Sequence, residues 1–123
     1  MQAYRRWVAL GAVVGLLAVM AAAFAAHGGG DPAALRARAS AAQMLGWHAL
    51  AIVAVGFWGA QGGSRRGWLT NAAGALFTLG LVLFCGGVYS PVLGGPSLGM
   101  TAPVGGTLLM VGWLAFAAAA IVR

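Results

Sequence analysis

The sequence predicts an all-α, polytopic membrane protein: one four-helix bundle over residues 1–123, with both termini cytoplasmic. Three observations predict it. Apolar residues make up 62% of the 123 and charged residues only 7%, whereas a soluble domain carries about 25% charged residues. Mean hydropathy is +0.92. The charges that exist fall between long apolar runs instead of along one face of a helix.

Four such runs cover about residues 7–27, 41–60, 68–90 and 104–122, and none contains Asp, Glu, Lys or Arg in its apolar stretch. Each is long enough to cross a hydrocarbon core of about 30 Å as a helix. Backbone groups in lipid must bond one another, so helices are expected; a barrel needs strands of about ten residues with alternating polarity. The first run follows Arg5-Arg6 and ends near Ala23-Phe24-Ala25. That layout also suits a cleavable signal peptide, but its apolar stretch is slightly long for one, and a retained span is expected. Gly28-Gly29-Gly30 ends the first helix, and Asp31-Pro32 reads as an N-cap followed by proline in the first turn. A short helix from Pro32 is expected to run along the surface into the second span. Gln61-Gly62-Gly63-Ser64 forms a tight turn, residues 91–103 form an uncharged loop, and Pro103 suits the start of the fourth helix.

Arginine placement sets the expected orientation. Arg5, Arg6, Arg65, Arg66 and Arg123 fall on one side of a four-span chain, and Arg36 and Arg38 on the other. An excess of arginine marks the cytoplasmic side. The expected location is the bacterial inner membrane, with Trp7, Trp58 and Trp68 as interfacial anchors.

Counting also excludes chemistry. Asp31 is the sole carboxylate side chain and Cys85 the sole cysteine, and there is no lysine. Paired-carboxylate catalysis, multi-thiolate metal sites, Schiff bases and phosphate-binding loops are therefore excluded. Serines have no acidic partner beyond Asp31, and Cys85 lies in an apolar run that disfavours the thiolate. No catalytic residue, cofactor or resident metal is expected, and the protein is read as a non-enzyme. The net charge of +6 reads as a topology signal instead of a nucleic-acid footprint.

Small residues recur at helix-packing intervals: Gly11, Gly15, Ala18, Ala22 and Ala26; Ala42, Gly46, Ala49, Val53, Gly56 and Ala60; and Ala73, Gly80 and Gly87. Such seams let membrane helices approach closely. The third helix also carries a polar stripe, Asn71, Thr78, Cys85 and Tyr89, on the face roughly opposite its glycine seam. Either these side chains bond the preceding turn and anchor at the interface, or they form a polar track facing the interior.

Ionisable groups at membrane depth are candidates for function. His27 ends the first helix, and His48 lies about seven residues into the second run, roughly 10 Å below the outer boundary at 1.5 Å per residue. Tyr89 and Thr101 fall in the same outer half. His27, His48, Tyr89 and Thr101 are thus expected to converge as a candidate ligand-binding cluster. The two histidines could ligate haem, or hold Cu or Zn beside Met44, Met100 or Cys85, but their spacing matches no metal motif. Proton relay, a quinone or lipid-headgroup pocket, and a purely structural role are the other readings.

Several segments resemble a family of small four-span membrane proteins of unknown function that includes transmembrane protein 256-like proteins. Ala23-Phe24-Ala25-Ala26-His27-Gly28 resembles its "GAFGAHGL", and Trp47-His48-Ala49-Leu50-Ala51 its "YHALA". Phe84-Cys85-Gly86-Gly87-Val88-Tyr89 resembles its "FSGSLY", and Thr101-Ala102-Pro103-Val104-Gly105-Gly106 its "TPxGG". The matches run in order along essentially the whole chain. Leu45 stands where the family often has Gln, and Cys85 and Gly87 where it tends to have Ser. The resemblance implies a four-span inner-membrane protein and supplies no activity. The expected function is accordingly a non-catalytic membrane component surrounded by lipid, acting as a homo-oligomer or as an accessory subunit of a membrane complex. The alternative is a binding or permeation module for lipid, quinone, proton or metal.

Overall fold

The structure is a computed structural model that describes residues 2–62 and 67–122. Among these residues it contains four helices: α1 (Gln2–His27), α2 (Pro32–Ala60), α3 (Gly67–Val92) and α4 (Thr101–Ile121). All four are long and apolar enough to cross a membrane. Arg65, Arg66 and Arg123, three of the arginines used to orient the chain, lie outside the described residues; Arg5 and Arg6 are exposed on the first turns of α1.

Local chemistry explains the boundaries. α1 closes with the Gly28 amide bonded to the Phe24 carbonyl at 2.7 Å. Asp31 then caps α2: its carboxylate accepts from the Ala34 amide at 2.8 Å, and Pro32 occupies the first turn, where its missing N–H costs nothing. The helix expected from Pro32 runs on into the second span. It forms the first turns of a single 29-residue helix, which at 1.5 Å per residue is longer than the hydrocarbon core of about 30 Å. Pro91 sits in the last turns of α3, and Pro103 in the first turn of α4, three residues earlier than the apolar run alone suggests.

Helices α1 and α2 pack as one antiparallel hairpin, α3 and α4 as another, and α2 against α3 joins them. Glycine makes both hairpins tight. A Cβ added at Gly11 would lie 2.6 Å from Val53 Cγ2 and 2.9 Å from the Ala49 carbonyl oxygen, and one at Gly56 would lie 2.9 Å from the Val8 amide nitrogen. Across the other hairpin, a Cβ at Gly105 would lie 2.7 Å from the Gly80 carbonyl oxygen, and one at Gly87 2.6 Å from the Ala102 amide nitrogen. Lipid gives apolar helices no solvent drive to associate, so this backbone-to-backbone proximity supplies dispersion contact instead.

The core runs along α2 and α3. Leu45, Ala49, Ile52 and Val55 face Ala73, Phe77 and Leu81, with Val14, Ala18 and Leu109 closing the flanks. The outer surface is apolar too: Leu16, Val19, Met20, Leu50, Val82, Leu114 and Ile121 are exposed. An aqueous protein does not display a coat of this kind, whereas lipid solvates it.

Candidate functional site

The two faces of α3 have different partners. Its Gly80–Gly87 seam meets α4, and its polar stripe meets α1. Asn71 Oδ1 accepts from the Trp7 indole N–H at 2.9 Å. Thr78 and Cys85 line an apolar groove of about 270 Å³ with Leu10, Val13 and Leu17 of α1. Tyr89 packs against Phe24 of α1, with ring centroids 6.5 Å apart. Within the stripe, the Thr78 hydroxyl donates back to the Gly74 carbonyl at 2.8 Å, and the Tyr89 hydroxyl is buried without a hydrogen-bond partner.

His48 is the hub of a second cluster. It is 3% exposed. Its Nδ1 lies 2.7 Å from the Met44 carbonyl oxygen, and its Nε2 lies 3.1 Å from Nε1 of Trp113 on α4. A carbonyl can only accept and an indole N–H can only donate, so the partners fix a neutral ring with its proton on Nδ1. Phe77 stands edge-on to both rings, 5.5 Å from His48 and 5.0 Å from Trp113, and Phe116 extends the group at 6.5 Å from Phe77. Edge-to-face contacts at such distances are the favourable aromatic geometry. Beside this knot lies a cavity of about 190 Å³ between α2, α3 and α4.

Arg38 organises the turn between α1 and α2. It is 7% exposed. Its Nη1 donates to the Gly28 carbonyl at 2.6 Å and also to the Gly29 carbonyl, and its guanidinium carbon stacks 4.5 Å from the Phe24 ring centroid. A cation against the carbonyl end of a helix complements the helix dipole. Asp31, the sole carboxylate side chain, is used as the α2 cap.

The four residues expected to converge occupy different settings. His27 is exposed at the end of α1. Thr101 donates to the Leu98 carbonyl at 2.7 Å in its own turn. Tyr89 lies on the α1 side of α3, and His48 bonds toward α4. Among the described residues no hydrogen bond joins any two of these four. Two residues central to the geometry escaped the sequence reading. Arg38 registered only as an outer charge, although an arginine about two helix turns past a glycine run can reach back to cap the preceding helix. Trp113 carried a stronger signal: it lies mid-helix in α4, far from either interface, where its N–H needs an acceptor within the bundle.

Four long apolar helices with polar side chains bonded inward define a polytopic helical membrane protein. The chain belongs to the DUF423 family, described as a protein of unknown function, whose profile matches residues 21–106. It is 32% identical over 114 residues to a UPF0382 membrane protein of Staphylococcus epidermidis, and the alignment covers 88% of each chain. No solved structure matches the chain. His27, His48, Tyr89 and Thr101 fall inside the family match, and Trp113 falls beyond it.

Proposed function

We propose that the protein is a non-catalytic, multi-pass component of the bacterial inner membrane, with both ends cytoplasmic, that works by assembly. It acts as a homo-oligomer or as an accessory subunit of a larger complex. One observation supports this reading: three hydrogen-bonding side chains in and beside the spans tie separate elements of the bundle together. Trp7 binds Asn71, Trp113 binds His48, and Arg38 closes the α1–α2 turn. Such ties fix a unique bundle and leave few polar groups for chemistry. The arginine distribution supports the orientation.

Native mass spectrometry from mild detergent tests the assembly. A mass of several chains, or a second polypeptide in fixed ratio, is expected; a lone monomer at every concentration overturns the proposal. Reporter fusions test the topology. Cytoplasmic fluorescence and no periplasmic phosphatase activity are expected from a fusion at the C-terminus, and the reverse pattern overturns the orientation.

A further inference from the structure

Helices α1 and α3 run in the same direction and are bridged near both ends. At one end the Trp7 indole N–H bonds Asn71, and at the other Phe24 packs against Tyr89. Between the bridges lies the groove of about 270 Å³, with Leu10, Val13 and Leu17 on its α1 wall and Thr78, Val82 and Cys85 on its α3 wall. At Leu10 it adjoins a second cavity of about 360 Å³, which Arg6, Trp7 and Asn71 also line. Arg6, Leu10, Val13 and Leu17 follow one another at intervals of 4, 3 and 4 residues, so they share one face of α1. The two spaces therefore form one track, cationic at the start of α1 and apolar further in. We propose that this track binds one anionic phospholipid of the adjacent leaflet, with its phosphate at Arg6 and Asn71 and an acyl chain in the groove. This stands apart from the assembly reading and does not depend on it.

Three features argue for that occupant. The first is the donor chemistry of the polar end. An indole N–H can only donate, so Asn71 turns its Oδ1 toward Trp7. The amide nitrogen, with no partner among the described residues, is left to the cavity that Arg6 also lines. Amide N–H groups and a guanidinium offer donors alone, which suits phosphate oxygens, and arginine pairs with phosphate in two-pronged fashion. Asp31, the sole carboxylate side chain, stands beyond the opposite end of α1 as the α2 cap, so it does not neutralise Arg6.

The second feature is depth. Arg6 adjoins Trp7, an amphipathic ring of the kind that sits at headgroup level. Leu10 to Leu17 then carries the groove about 10 Å inward at 1.5 Å per residue. The track thus meets an anion first and hydrocarbon second, in the order that a phospholipid presents them.

The third feature is width. A helix is about 10 Å across, and one laid between α1 and α3 would have to part both bridges, whereas a single hydrocarbon chain lies between them. A second copy in the same orientation would also hold its Asp31 at the other membrane face, away from Arg6. Bulk lipid solvates an acyl chain as well as this groove does, so the chain contributes fit and the donors contribute the preference for an anion.

The test uses the full chain in mild detergent, supplied with phosphatidylglycerol or with phosphatidylethanolamine of the same acyl chains, and native mass spectrometry to count the lipids retained. One phosphatidylglycerol per chain is expected, held about fivefold more tightly than phosphatidylethanolamine. Arg6→Gln is expected to weaken retention about fivefold. Arg5→Gln removes the same charge from the neighbouring residue, outside the cavity, and is expected to leave retention unchanged. Val13→Trp fills the groove from a position that is 55% exposed; loss of the retained lipid is expected, with helical circular dichroism and elution volume unchanged. Equal retention of the two lipids, equal weakening by Arg5→Gln and Arg6→Gln, full retention in Val13→Trp, or displacement by glycerol phosphate, which lacks acyl chains, would each overturn the proposal.

Discussion

The α1–α2 seam and the knot around His48 hold helices together by opposite means. In the seam, side chains are removed: Gly11 and Gly56 let the backbones of α1 and α2 come together, and the contact is dispersion alone. In the knot, side chains are large and directional: His48, Phe77 and Trp113 meet edge to face, and one hydrogen bond crosses from α4 to α2. A seam without side chains has nothing to rearrange, so an intruding atom must push whole helices apart. A knot of rings can repack, so losing a member costs less and opens space. The difference teaches that the glycine contacts set the hairpins, while the aromatic contacts set how the hairpins dock.

The comparison can be broken at the seam. Gly11→Val and Gly105→Val place branched side chains against backbone atoms, and each is expected to cost about 3 kcal/mol or to prevent folding, at the upper end of overpacking penalties. Thermal unfolding in detergent reads this. Next comes Arg38→Met, which removes two charge-assisted bonds to the Gly28 and Gly29 carbonyls and the contact with Phe24. The expected loss is about 2 kcal/mol, with proteolysis increased at the 28–31 turn.

At the knot the effects are smaller. His48→Ala leaves the Trp113 N–H without its acceptor, and a loss of about 1–2 kcal/mol is expected. A double-mutant cycle of His48→Ala with Trp113→Phe sharpens this. The coupling expected is about 0.6 kcal/mol, the average for hydrogen bonds between membrane helices. Smallest of all is Thr78→Val. Its hydroxyl bonds only the carbonyl one turn back, and a change within about 0.5 kcal/mol is expected, since such local bonds contribute little to helix stability.

The sequence made the seam legible and left the knot hidden, for a physical reason. Close packing of helices adjacent in the chain leaves a periodic trace, and the spacing of Gly11, Gly15 and Ala18 against Ala49 and Gly56 could be read directly. The Asp31-Pro32 start of α2 was legible in the same way, because capping is local. The bond from Trp113 to His48 spans 65 positions and depends on how α4 is rotated against α2, which no spacing within either helix records. The four polar residues expected to converge share a predicted depth, but depth leaves open which way each side chain faces around its helix. Tyr89 faces α1, and His48 bonds toward α4.

Arg38 shows how this hairpin accommodates a charge next to its apolar spans. A free guanidinium resists transfer toward lipid, because its hydration shell must be stripped. In the folded hairpin the Gly28 and Gly29 carbonyls and the Phe24 ring stand in for part of that shell, while the buried Nε has no hydrogen-bond partner among the described residues. Pairing of the first two helices therefore returns to this charge part of the solvation that it would lose beside lipid.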